Sequence, residues 1–449
     1  MRGSGEILLV STYELGHQPS GIAVPKAWLE RAGFRPAALD LSVEPFDEAR
    51  VRAARLVALS VPMHTALRLA LHAWERIRAA NPSAAVVFHG LYALLHEASL
   101  RAAGARAVLG GECEADLVAV AEALERGRPP PPHAPLRRLR HPVPSRAGLP
   151  PPERYARLAD ADGTERVAGY AEATRGCKHL CRHCPIPAVY RGRFFAVPVE
   201  DVVADVAQQV AAGATHVTFG DPDFLNGPRH ALRVASAIRD RFPGLTFDFT
   251  AKVEHLVRHA SLLRPLRESG ALFVVSAVES LSERVLARLA KGHRREDVAA
   301  AFAACRAAGL ALRPSLVPFT PWATLDDYLD LLETFARSGW AAALDPVQLS
   351  VRLLVPPGSL LLDEPELRAD GLDEAALTYR WRHPDPRMDR LQAKVAREVE
   401  EAAATGRDPL ETFERVHALA LAAAGRPHPH VVAADTGRRA PRLTESWFC

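Results

Sequence analysis

Between residues 5 and 125, short apolar runs alternate with longer segments whose apolar residues recur at helical spacing. EILLVST, PAALDLS, LVALSV, AVVFHG and AVLGG have the length and β-branched content of buried strands. Alternation of this kind predicts an α/β unit, a doubly wound Rossmann-like parallel sheet with helices on both faces and a crevice at the strands' C-terminal ends. Residues 126–153 break the pattern. Pro129 to Pro132, Pro135, Pro142, Pro144 and Pro150 to Pro152 exclude helix and ladder alike, which predicts a stiff extended connector with Arg137, Arg138 and Arg140 solvated.

ADADGTERV (residues 159–167) then reads as a hairpin around an Asp-Gly turn. Strand and helix patterns alternate again, with strands predicted at 170–174, 214–220, 245–251, 271–277, 310–317 and 346–353 and helices at 199–212, 228–241, 256–269, 282–308 and 324–337. After about residue 360 two long helical patterns follow, which predict a helical C-terminal cap over the open end of the preceding unit, with Trp381, Arg382 and His383 either in simple packing, the commoner role of an aromatic next to charges, or facing a substrate. The expected division is residues 1–126, a connector with its hairpin over 127–168, a third unit over 169–358 and a C-terminal region over 359–449.

Composition narrows the function classes. The chain has 449 residues, of which 48% are apolar and 24% charged, so it can bury real cores. Its net charge of +3 is spread without a basic block, which argues against a nucleic-acid partner. No apolar run is long enough for a membrane span, and MRGSGEILLVSTY lacks the pattern of a signal peptide, so the chain is expected in the cytoplasm. Three of its six cysteines are clustered, which favours metal binding or catalysis over disulfides.

Those three, Cys177, Cys181 and Cys184, form a CxxxCxxC spacing within EATRGCKHLCRHCPIPAVYRGRFF, residues 172–195. Three thiolates on one loop can hold three irons of a cubane cluster and leave the fourth iron open to a small molecule. The same loop can instead make a Cys₃His zinc knuckle through His179 or His183.

The loop resembles the cluster loop of the radical S-adenosylmethionine (SAM) superfamily, in which SAM chelates the open iron of a [4Fe-4S] cluster. His183 stands where that superfamily usually has an aromatic residue, and the resemblance brings its backbone to the adenine. A partial (β/α)6 barrel is implied for the six predicted strands. In FGDPDF (residues 219–224) the resemblance gives Gly220 and Asp221 to the methionine end of SAM. In VSAVESLSERVLARLAKGH (residues 275–293) it gives Glu279 to the ribose and Ser280 to the methionine end. Lys252 and Arg313 are candidates for the SAM carboxylate or for substrate. The implied activity is reductive cleavage of SAM, started by a donor such as flavodoxin or ferredoxin, on a small-molecule or peptide substrate.

The N-terminal unit resembles the cobalamin-binding domain of many radical SAM enzymes, with LGGECEADL (residues 109–117) at that domain's last turn. Its DxHxxG motif is absent. STYELG (residues 11–16) stands there instead, so cobalamin is bound without a side chain below the metal or not at all. With a corrinoid the expected outcome is methyl transfer; without one it is hydrogen abstraction or transfer of a SAM fragment. A non-catalytic zinc-sensing module is the alternative from a different class. The ending ESWFC resembles a radical SAM group whose tails read Cys-Cys-Ala-Glu-Pro or Cys-selenocysteine-Ala-Glu-Pro. It implies that Cys449 precedes an unread selenocysteine and takes part in catalysis.

Overall fold

The computed structural model describes residues 1–134, 136–160, 162–427 and 440–445; Cys449 and its expected role lie outside them. The N-terminal sheet contains β1 (Ile7–Ser11), β2 (Ala37–Asp40), β3 (Leu56–Ser60), β4 (Ala85–His89) and β5 (Ala107–Leu109), all parallel, in the order β2-β1-β3-β4-β5. These strands are apolar on both faces because both are covered. Leu8, Val10, Val57, Leu59 and Phe88 enter one core, while Ile7, Leu9, Leu56, Ala58 and Val87 enter the other. The order reverses between β1 and β3, which puts the crevice there.

The second sheet adds β6 (Arg157–Ala159), β7 (Glu165–Ala171), β10 (His216–Phe219), β11 (Thr246–Thr250), β12 (Ala271–Glu279), β13 (Ala311–Leu316) and β16 (Arg442–Leu443). Its order is β13-β12-β11-β10-β7-β6-β16. From β7 to β13 the strands are parallel, and β6 and β7 form the predicted hairpin. Phe247, Phe249, Val274 and Leu312 pack outward against helices. The alternate positions His216, Asp248, Phe273 and Arg313 turn to the other face. Phe273 and Arg313 near one edge line a cavity with Arg442 and Leu443 from the other edge, so the sheet curls into a half-barrel. Two short ladders complete the strands: β8 (Thr174–Gly176) with β9 (Phe194–Ala196), and β14 (Ala369–Asp373) with β15 (Thr378–Trp381).

Three expectations change. The sixth barrel strand is reduced to one parallel bridge between Phe319 and Arg352, because Pro346 lacks an amide N–H and the Asp345 side chain accepts from Val347 N, winding Pro346–Leu349 into a 3₁₀ turn. Gln348 Oε1 accepts the Leu316 N–H at 2.9 Å in place of a strand carbonyl. The helix predicted over 256–269 is two, Val253–Arg258 and Ala260–Glu268, while the helices predicted over 282–308 are Glu283–Arg288 and Arg295–Ala308, separated by left-handed Ala290 and Gly292. Finally, the C-terminal helices Pro386–Thr405 and Pro409–Ala423 do not cap the barrel. Their apolar stripes need an apolar partner, and Met388, Leu391, Val395, Phe413 and Val416 find one in the outer helical core beside Leu332 and Phe335. Nor do the three residues before those helices face a substrate. Trp381 Nε1 donates to Leu353 O, Arg382 lies beside Asp370 at the surface, and His383 Nε2 bonds Ala323 O. No helix among the described residues is long and apolar enough to cross a membrane.

Candidate active site

The cysteine loop leaves the C-terminal end of β7, where parallel barrels collect their reacting groups. Its entry is fixed from the neighbouring strand end: Asp221 Oδ2 accepts from Ala173 N at 2.9 Å and Oδ1 from Thr174 Oγ1 at 2.6 Å. Burial raises this carboxyl to about 7. The β8–β9 ladder then closes the loop at its base. Gly176, at φ 73°, is required there, since a Cβ would stand 2.4 Å from the Tyr190 ring and 2.5 Å from Arg193 O. Gly220 is required by its own neighbour, because a Cβ would fall 1.8 Å from Tyr170 Oη.

Cys177 and Cys181 are buried and Cys184 is partly so. Burial pushes the Cys184 thiol up to about 12, with Cys181 and Cys177 close enough to push it further, and burial also raises Cys177. Thiolates gathered in this way need a cation to hold them deprotonated. The fully buried Asn226 directs Nδ2 at Cys177 Sγ, 3.6 Å away, a contact of the kind that tunes a cluster sulfur. The donor set fits a [4Fe-4S] cluster. Neither histidine completes a Cys₃His site with the thiolates. His183 Nε2 turns to Glu279 at 3.3 Å, and both ring nitrogens of His179 face carboxylates, Asp223 and Glu254.

Glu279, at the end of β12, is brought beside the loop. It is left-handed at φ 63° and 5% exposed, and it accepts from Lys291 Nζ at 3.1 Å. Burial alone would raise its carboxyl, but Lys291 and His183 hold it down to about 2. His183 Nδ1 is buried without a partner at this point. His293, lowered to about 4 by burial and then by Lys291, adds a further buried imidazole to this polar group. Ser280 is buried next to it, its Oγ accepting from Ser282 N at 3.1 Å.

Lys252 is buried on the adjacent strand end, with Nζ 3.5 Å from Glu254 Oε2. Arg313 is not brought to this group. Its β12 partner is Val275, four residues below Glu279, and it lines the half-barrel cavity with Asp345. Lys291, His293, Asn226 and Thr174 were not singled out from the sequence. Lys291 and His293 belong to the Lys-Gly-His run that closes VSAVESLSERVLARLAKGH, part of the same resemblance and the available signal; Asn226 and Thr174 carried none.

A corrinoid fits less well. At the β1/β3 crevice Glu14 occupies the start of the helix Ser20–Arg31, accepting from Ser20 N at 2.9 Å and Gly21 N at 3.1 Å, and burial pushes it up to about 8. Tyr13, at the place of the missing histidine, donates to Glu445. The N-terminal unit also touches the barrel directly. His17 stacks on Tyr170 with ring centroids 4.8 Å apart, and Arg175 donates to Glu114 at 2.5 Å. These contacts narrow the space for a corrinoid, although His17 Nε2 and His89 Nε2 are buried at these strand ends without partners and a cavity lined by Ser20, His141, Glu172 and Arg175 lies between the two units.

The sequence model of the family described as the Radical SAM superfamily matches residues 172–340. The tRNA-2-methylthio-N(6)-dimethylallyladenosine synthase of Fusobacterium nucleatum is 28% identical over 40% of this chain and 43% of its own length. The ribosomal protein uS12 methylthiotransferase RimO of Trichlorobacter lovleyi is 24% identical over 36% and 38%. The match therefore spans about two fifths of the length of these curated relatives. Among solved structures, the radical SAM methyltransferase TsrM from Kitasatospora setae, with cobalamin and a [4Fe-4S] cluster bound, superposes with a TM-score of 0.66 at 16% identity, over 94% of this chain and 100% of that one. The cobalamin-dependent radical enzyme OxsB gives 0.62 at 15% identity, over 86% and 66%. Fold, cysteine loop and sequence match thus converge on a radical SAM domain over residues 172–340, and the donor set there suits an enzyme that uses a [4Fe-4S] cluster and SAM.

Proposed function

We propose that this enzyme cleaves SAM reductively to begin hydrogen abstraction or SAM-fragment transfer on a polar small molecule or peptide held in the half-barrel. The observation that carries the reading is the Glu279–Lys291–His183 cradle beside the three-thiol loop, all at the C-terminal ends of parallel strands. When bound, the reduced cluster supplies the electron that breaks a carbon–sulfur bond of SAM. Cys177, Cys181 and Cys184 would hold it, and Asn226 donates toward one sulfur. Glu279, kept ionised by Lys291, is a ready acceptor for hydroxyl groups such as those of a ribose. Below, His216, Thr218 and Asp248 form a hydrogen-bonded set that, with Arg313, makes the lumen polar. Burial of these groups keeps water away from reactive species.

The protein reconstituted anaerobically should be brown, with about four irons per chain, and should consume SAM on reduction. Cys181→Ala should lose both properties. A colourless protein with one tightly held zinc, or a Cys181→Ala variant that still consumes SAM, rejects this function. Corrinoid-dependent methyl transfer is the second reading, favoured by the N-terminal strand order and opposed by the direct contacts across the interface.

A further inference from the structure

A second set of ligand-type atoms converges beside the thiolate loop. His179 lies between Cys177 and Cys181, Asp223 follows β10, and His255 is in the helix Val253–Arg258 after β11. One ligand atom from each lies within 4.8 Å of the other two. Asp223 Oδ2 is 2.7 Å from His255 Nδ1 and 3.7 Å from His179 Nε2, and the two imidazole rings meet edge-on with centroids 4.8 Å apart. Asp223 is fully buried and His255 is 4% exposed. Yet none of the three facing atoms makes a hydrogen bond, so the close approach of carboxylate and imidazole is off the line that an N–H donor requires. Three crowded, buried polar atoms without partners are costly unless something charged sits among them.

The surrounding groups are already committed. Asp223 Oδ1 accepts from Leu225 N at 3.0 Å. Lys252 and Arg258 share Glu254, so Asp223 is the carboxylate left to the two imidazoles. Glu254 Oε2 also lies 3.9 Å from His179 Nδ1. At that distance it attracts the imidazole without a hydrogen bond. Gly292 keeps room for Glu254, since a Cβ there would come within 2.9 Å of Oε2. Two imidazoles and one carboxylate suit a borderline divalent cation such as Zn²⁺, whereas hard cations prefer oxygen alone. Three protein ligands would leave a fourth position for water or a substrate oxygen.

We propose that His179, Asp223 and His255 form a mononuclear site for a divalent cation of the zinc type, separate from the thiolates. The bound cation pins the cysteine loop to the two strand ends that carry Asp223 and His255. The test uses holoprotein with its iron–sulfur cluster in place, treated with a mild chelator, given Zn²⁺ anaerobically and desalted. About one zinc should remain with about four irons per chain. Zinc-edge X-ray absorption should show nitrogen and oxygen neighbours at about 2.0–2.1 Å, imidazole scattering, and no sulfur near about 2.3 Å. His255→Gln and Asp223→Asn, both close in shape to the parent residues, should each weaken zinc binding at least roughly tenfold while iron content holds. Sulfur in the zinc shell, zinc affinity unchanged in both variants, or failure of the parent holoprotein to retain zinc would each overturn the site. Because the readout is zinc, it is independent of whether SAM is cleaved.

Discussion

Glu279 carries a left-handed backbone, a conformation that costs a residue with a Cβ about 1–3 kcal/mol, and it persists because two elements over-determine it. Its carboxylate is fixed by Lys291 and His183, and its carbonyl accepts from Val317 N at 2.9 Å across a register shift between β12 and β13. With its carboxyl held near 2, the ion pair contributes fully above about pH 4.5 and is lost as pH falls toward 2. Glu279→Gln leaves the Lys291 ammonium buried and unpaired, a loss of about 3–5 kcal/mol. The double variant Glu279→Gln/Lys291→Met removes that strain and isolates the chemistry. Both should keep about four irons per chain yet consume SAM roughly a hundredfold more slowly, measured by chromatography beside an iron assay. Normal SAM consumption in the double variant would remove Glu279 from the site. Glu279 was singled out because its Glu-Ser pair, after a clear strand pattern, resembles the turn of the radical SAM superfamily. Lys291 and His293 were not, because spacing alone does not say where the turn between the helices of residues 282–308 lies; left-handed Ala290 and Gly292 make that turn, and it delivers both side chains.

Among the elements, those set by local pattern were legible and those set by distant partners were not. Every N-terminal strand and the β6–β7 hairpin follow from apolar runs bounded by turn residues. The sixth barrel strand fails because one proline and one capping aspartate override its apolar run. The proline-rich connector reads as a spacer but acts as a strap. Buried Arg146 gives Nε and Nη2 to the two Asp205 oxygens at 2.6 and 2.8 Å, Nη1 to Gln18 Oε1 at 2.8 Å, and Nη2 to Tyr170 O at 2.7 Å. It thereby joins the loop after β1, the end of β7 and the helix Val199–Ala211. Arg146→Ala should lower stability by about 3–5 kcal/mol, since Asp205 is left charged in a buried site. Adding Asp205→Ala should recover part of that loss, read as the denaturant midpoints of the single and double variants. Equal midpoints for Arg146→Ala and the parent would reduce the strap to a passive linker.

For the whole molecule, the question is what the N-terminal sheet does for the half-barrel. Its strand order, β2-β1-β3-β4-β5, is the flavodoxin-like doubly wound one, and the likeness in fold to TsrM extends over 94% of the chain. Protein contacts nonetheless bridge the two sheets at several points. His17 stacks on Tyr170 at the β1 side; Arg175, Glu114, Tyr190, Glu112 and His141 interlock at the β5 side. Between these, His64 Nε2 bonds Ala376 O and Leu377 enters the core around Leu59 and Phe88, so the turn of the β14–β15 ladder covers the remaining edge. A planar macrocycle would have to break buried charge pairs here, and leaving one partner of such a pair exposed to the interior costs about 3–5 kcal/mol. The N-terminal sheet then serves to buttress the cysteine loop, through Arg175 on β8 and Tyr190 within the loop. Anaerobic protein titrated with hydroxocobalamin should accordingly separate from it on gel filtration, with free corrinoid eluting late. The variant Glu114→Gln, which loosens the Arg175 contact, should weaken the loop's hold on iron without creating corrinoid binding. Stoichiometric retention of the corrinoid by the parent protein would show that the interface opens, and would put methyl transfer ahead of the other radical reactions.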